Sequence, residues 1–106
     1  MAFRSKYKAV KTEVDGITFD SKREAARYME LVLLERAGEI SRLELQPAFE
    51  CRIDGKKICT YKADFRYFTA KECVVEDVKG VKTPVYRLKK KLVEALYRGV
   101  KIQEIY

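Results

Sequence analysis

Two hydrophobic periods alternate along this chain. From Ser21 to Gly38 apolar residues return every three or four positions, so Ala25, Tyr28, Met29, Val32 and Leu33 share one predicted helical face. Ser21 followed three residues later by Glu24 forms a capping box, and Gly38 is placed to end the helix in a left-handed turn. From Leu43 the period falls to two: Leu45, Pro47, Phe49, Cys51 and Ile53 alternate with Glu44, Gln46, Glu50, Arg52 and Asp54, which predicts one strand with a single buried face. Pro47 cannot donate to a ladder and puts that strand at or near a sheet edge. Asp15-Gly16 and Asp54-Gly55 are two-residue turns of the kind that close hairpins.

In TYKADFRYF, Tyr61, Ala63, Phe65 and Tyr67 fall on one face and Lys62, Asp64 and Arg66 on the other. CVVEDVKG is apolar on both faces, the pattern of a central strand. KTPVYRLKKKLVEALYRG predicts a second helix with Thr83 as cap, Pro84 at its first position, Leu88, Leu92, Ala95 and Leu96 toward the core and Gly99 as stop; VKIQEIY closes the chain as a strand. The order helix, three strands, helix, strand is a mixed α/β fold with a central sheet flanked by helices. With 106 residues there is one domain, expected over 13–106, preceded by a basic arm at 1–12 whose Arg4, Lys6, Lys8 and Lys11 can touch a phosphate backbone.

Charge narrows the function classes. The net charge of +7 and the many lysines and arginines favour a phosphate-rich partner. The basic residues recur in the arm, the loops and the last helix instead of on one amphipathic helix, which favours nucleic acid over a membrane surface; no apolar run reaches the length of a membrane span. The chain has no histidine, so His-dependent triads, His-metal nuclease motifs and zinc hydrolases are excluded, and any metal would sit on oxygen ligands. Three cysteines, Cys51, Cys59 and Cys73, lie in apolar runs without metal-binding spacing; with no charged-then-apolar leader, a cytoplasmic protein with buried thiols is expected.

Glu76, Asp77 and Lys79 stand in the middle of a strand otherwise suited to a buried sheet. Charge there is costly unless it holds a metal, holds another charge or does chemistry. Asp77 and Lys79 are two apart and project together, whereas Glu76 projects the other way and calls for a structural partner such as a lysine. Adjacent strands lie about 4.8 Å apart, so Asp64 and Asp77 can set their carboxylates side by side with Lys79 one pleat further on. Two carboxylates, the Val78 backbone carbonyl and waters make a hard-cation site suited to Mg²⁺. Glu24 would enter from the first helix as a third carboxylate, or serve only the helix cap. The alternative for Asp64, Asp77 and Lys79 is an ion-paired structural cluster without metal.

Glu24, then Asp64, then Asp77-Val78-Lys79 resembles the acid, D, (D/E)xK signature of the PD-(D/E)XK nuclease superfamily, whose core has the same αβββαβ order. FDSKREA, LELQP, YKADF and VVEDVKG further resemble small phage-encoded members compared with Holliday-junction resolvases. The resemblance implies a restriction-endonuclease-like fold and Mg²⁺-dependent phosphodiester hydrolysis, with Mn²⁺ able to substitute and no organic cofactor. It carries the metal ligands onto Asp64 and Asp77, an auxiliary acid onto Glu24 and the catalytic lysine onto Lys79. Ala63 stands where the proline of the superfamily's name would be.

Lys62 and Arg66 flank Asp64, Lys82 follows the catalytic strand, and Arg87, Lys89, Lys90 and Lys91 run along the last helix; these are the candidate DNA contacts. With no separate base-reading element, binding is expected to follow DNA backbone and shape. The expected function is a DNA-structure-specific endodeoxyribonuclease of phage DNA metabolism, acting as a homodimer because two strands call for two sites. The alternatives are a non-catalytic DNA-binding or assembly module on the same fold, and a nuclease subunit active only within a larger complex.

Overall fold

The computed structural model describes residues 10–79 and 81–106. A short hairpin opens this part of the chain: β1 (Thr12–Val14) and β2 (Ile17–Phe19) pair antiparallel across Asp15-Gly16. Lys11 lies beside it, paired with Asp20 at 3.1 Å, while Arg4, Lys6 and Lys8 of the expected arm lie outside the described residues. Helix α1 (Lys22–Arg36) starts where the sequence signals it, with Ser21 Oγ accepting the Glu24 N–H at 3.1 Å.

The stretch from Ser41 to Ile53, expected as one strand, is two: β3 (Ser41–Leu45) and β4 (Ala48–Ile53). The stretch from Lys56 to Phe68 divides at the matching place into β5 (Lys56–Lys62) and β6 (Phe65–Phe68). Both breaks belong to one corner in a long hairpin. Gln46 takes a left-handed backbone (φ 50°) and Pro47 is buried. The corner stays zipped because Gln46 N–H donates to Asp64 O at 2.9 Å and Ala63 N–H to Pro47 O at 3.1 Å. Beyond it β4 and β5 continue as a two-stranded ribbon, closed at Asp54 (φ 53°) and Gly55 (φ 77°), the backbone a tight two-residue hairpin requires. Period-two alternation survives a corner, which is why the pattern did not show it: Tyr61, Ala63, Phe65 and Tyr67 are all buried, yet they serve two different cores.

β7 (Cys73–Val78), α2 (Pro84–Leu96) and β8 (Ile102–Ile105) complete the fold. The central sheet is mixed, in the order β3-β6-β7-β8, with β3 and β6 antiparallel to their neighbours and β8 parallel to β7. Leaving the hairpin ribbons aside, the order α1, β3, β6, β7, α2, β8 is the expected αβββαβ, and the mixed α/β class with helices flanking a mixed sheet is observed. β3 occupies the edge of this sheet, with Pro47 in the corner that follows it, and β7 lies inside, as its doubly apolar run requires. Val74 faces the core beneath α1 with Phe19, Ala25, Leu31 and Phe65; Val75 faces the core beneath α2 with Tyr61, Ala63, Tyr86 and Val93.

Each helix covers only part of the face expected of it: Ala25 is buried and Tyr28 packs against the core in α1, and Leu92 does so in α2, while other residues of those faces are exposed. In α1, Leu31 is buried while Met29 and Leu33 are exposed. In α2 the buried residues are Tyr86 and Val93; Leu88 is 60% exposed, Ala95 and Leu96 are exposed, and with Val85 they form an apolar stripe on the outside. Helical period locates an apolar face without saying which surface covers it. Among the described residues no helix is long and apolar enough to cross a membrane.

Candidate active site

The corner between β5 and β6 aims Asp64 at the adjacent end of β7. Its backbone N–H donates to Glu76 O at 3.0 Å, and its Oδ2 accepts the Val78 N–H at 2.6 Å. Asp77 is 5% exposed and held on both oxygens: Tyr61 OH donates to Oδ2, and Lys79 Nζ lies 3.1 Å from Oδ1. The Lys79 ammonium also sits 3.6 Å from the centre of the Tyr86 ring. Glu24, on the first turn of α1, is buried, and its carboxyl lies against that of Asp64. All four expected residues therefore meet, together with Val78, in one open cleft of about 1360 Å³.

Three acids converging in a half-dry place perturb one another. Burial raises Glu24 above the usual carboxylate range, and the negative charges of Asp20 and Asp77 push the same way. Asp64 is pushed up to about 7, first by burial and then by Glu24 and Asp77, against the pull of the Val78 N–H. Burial and the bond to Asp77 raise the Tyr61 phenol, so it stays a proton donor. The donor set is all oxygen, the chemistry a hard cation needs, and the crowding of carboxylates supplies the negative potential. No group of three or more acids among the described residues has the spacing to hold a metal ion together, so the donors on offer are the two aspartates and Val78, not a closed cage. Mg²⁺ commonly takes only one or two protein carboxylates and leaves the rest of its shell to water and phosphate.

Glu76 lies on the other face of β7, as its phase requires. Its partner is Arg27 of α1 in place of a lysine: Nε and Nη2 reach its two oxygens at 2.8 and 2.6 Å, and Tyr67 OH donates to it as well. The charges in CVVEDVKG are thereby accounted for, Glu76 by a structural pair and Asp77 with Lys79 by the cleft.

The candidate DNA contacts separate. Lys62 and Lys89 line the cleft, although Lys89 Nζ donates to Thr60 O at 3.1 Å. Lys82 and Lys90 are drawn to Glu104 at 3.0 and 3.7 Å, and Arg66 donates to Glu44 at 2.9 Å. Arg87 and Lys91 are exposed on α2. Sequence reasoning missed Lys22 and Arg23, which line the cleft. The available signal was two cations in the first turn of a helix, where the macrodipole disfavours them. Sequence reasoning treats Tyr61 only as part of an apolar face and gives Tyr86 no place at all; a buried tyrosine must find a partner for its hydroxyl, and that partner names its role.

No curated protein and no solved structure matches the chain. The protein belongs to the family described as "Protein of unknown function (DUF1064)", whose match spans residues 4–106.

Proposed function

We propose that the protein is a Mg²⁺-dependent endodeoxyribonuclease of the PD-(D/E)XK type, acting on DNA structure in phage DNA metabolism. The observation that carries this reading is the meeting of Asp64, Asp77 and Lys79 at the end of two neighbouring strands, with Glu24 beside them, in a fold of αβββαβ order. Asp64, Asp77 and the Val78 carbonyl would hold the ion. Bound there, Mg²⁺ would polarise a phosphoryl oxygen and acidify a water. Asp64 is oriented by one oxygen accepting the Val78 N–H, with the Glu24 carboxyl beside it. Lys79 supplies positive charge where charge builds on the phosphate, and Glu24 supplies a second acid that burial makes more reluctant to ionise. Lys22, Arg23 and Lys62 give the cleft a cationic lining suited to a phosphate backbone.

The exposed stripe of Val85, Leu88 and Leu96 on α2 supports a homodimer; a monomer in sedimentation at assay concentration would remove that part of the reading. The reading is tested by incubating branched and linear DNAs with the protein and Mg²⁺ or Mn²⁺. Cleavage by the wild type that is lost in Asp77→Ala and in Lys79→Ala is expected; equal activity in all three rejects the assigned roles.

One observation favours a second reading, a non-catalytic DNA-binding module: Asp77 already has a partner on each oxygen, as a purely structural acid would. Calorimetry separates the two, because only the nuclease binds Mn²⁺ through Asp64 and Asp77.

A further inference from the structure

We infer that Tyr61 and Tyr86 are positioning residues of this site: the Tyr61 hydroxyl sets the orientation of the Asp77 carboxylate, and the Tyr86 ring sets the place of the Lys79 ammonium. The inference rests on the nuclease reading and deepens it.

Asp77, near the end of β7, and Lys79, just beyond it, sit two apart in sequence, and alone they would form a flexible ion pair that satisfies itself. Two tyrosines from two other elements keep them apart in role. Tyr61, from β5, is 4% exposed, and its hydroxyl is turned toward Asp77 Oδ2, although a phenylalanine would fill the same apolar space. That fixes the acid from the side opposite Lys79. Tyr86, from α2, is 7% exposed, and its ring face meets the Lys79 ammonium at 3.6 Å, an attraction that needs the ring and not the hydroxyl.

The Tyr86 ring is itself anchored. Its hydroxyl donates to Glu104 Oε2 at 2.8 Å, and Glu104 stands on β8 in register with Asp77. Glu104 also gathers Lys82 at 3.0 Å, so it is a fixed post and not a free acid. The two tyrosine rings lie 6.2 Å apart, which links the position of the acid to that of the cation. Groups that orient a metal-binding or reacting side chain typically change metal affinity or activity about 10–100-fold when removed.

The test uses the full chain and four variants: Tyr61→Phe, Tyr86→Phe, Tyr86→Leu and Asp77→Ala. Steady-state DNA cleavage with Mg²⁺, Mn²⁺ titration by calorimetry and thermal melting are measured for each. Tyr61→Phe is expected to lower kcat about tenfold or more and weaken Mn²⁺ binding, with KM for DNA within about twofold. Tyr86→Leu is expected to lower kcat by a similar factor, while Tyr86→Phe, which keeps the ring, restores most of it. Wild-type kcat and Mn²⁺ affinity in both Tyr61→Phe and Tyr86→Leu would overturn the inference and leave the nuclease reading standing. Equal loss in Tyr86→Phe and Tyr86→Leu, tracking a lower melting temperature, would also overturn it, since the residue would then only fill the core. A wild type that neither cuts DNA nor binds Mn²⁺ removes the nuclease reading, and the inference falls with it.

Discussion

Arg27 and Glu76, 49 positions apart in sequence, meet through two bonds of 2.8 and 2.6 Å that fasten α1 to β7, an inner strand of the sheet. Glu76 is fully buried, so its charge depends on that guanidinium. Arg27→Ala should therefore lower stability by about 3–5 kcal/mol, because it leaves an uncompensated charge in the core. Replacing both partners with leucine should cost less than the single change. Urea denaturation of the three proteins decides it. Glu24 precedes Arg27 by one helical turn, so the single variant should also disturb the cleft.

Asp64 makes metal-free stability depend on pH. Its folded value of about 7 stands above its ordinary 3.8, so between those limits the folded protein holds a proton that the unfolded chain has lost. Stability should fall as pH rises from about 4 to 7 and then level off. Glu24, raised in the same direction, adds to the slope. Asp64→Asn should flatten the curve and be more stable than the wild type at pH 8. Mg²⁺ should stabilise the wild type more at pH 8 than at pH 5, since a ligand carboxylate must be deprotonated. Denaturant midpoints at the two pH values, with and without Mg²⁺, measure both effects; identical slopes in wild type and Asp64→Asn would contradict the first.

Gln46 holds the hairpin corner in a left-handed backbone at φ 50°. A β-branched residue tolerates that region poorly, so Gln46→Val should destabilise the protein by about 1–2 kcal/mol. Gln46→Gly should cause no such loss. Because the Gln46 N–H is bonded to the Asp64 carbonyl, the valine variant should lose cleavage activity beyond what its melting temperature explains.

Salt dependence should separate the lysines. Lys62 is exposed and lines the cleft, whereas Lys82 pairs with Glu104, which is held down to about 2, first by the Tyr86 hydroxyl and then by Lys82. Each phosphate contact adds about 0.9 to the slope of log affinity against log salt on duplex DNA. Lys62→Ala should reduce the slope by about one contact, and so should Arg23→Ala, while Lys82→Ala should leave it nearly unchanged. Binding isotherms over a range of salt concentrations give the slopes directly; a larger effect from Lys82 would mean that its pair with Glu104 opens on DNA.

Local rules carried much of the structure into the sequence. Ser21, Thr83 and Pro84 start the helices because helix ends demand caps, and Asp54-Gly55 turns the ribbon because its backbone must go left-handed. The phase of β7 separated Glu76 from Asp77 and Lys79, since side chains on a strand alternate by geometry alone. Those rules involve neighbours a few residues apart, and the sequence states them outright.

What depends on distant neighbours was decided only by folding. The corner at Gln46 and Asp64 leaves the period of two unchanged, so it is invisible until both strands of the hairpin bend together. The covered faces of α1 and α2, the choice of Arg27 as the partner of Glu76, the capture of Lys82 by Glu104 and the aim of Tyr61 and Tyr86 all depend on which surfaces meet. The sequence by itself determined which residues could carry charge, cap or turn. The tertiary structure decided which of them touch, because burial and hydrogen bonding are properties of pairs brought together across the fold and not of positions along the chain.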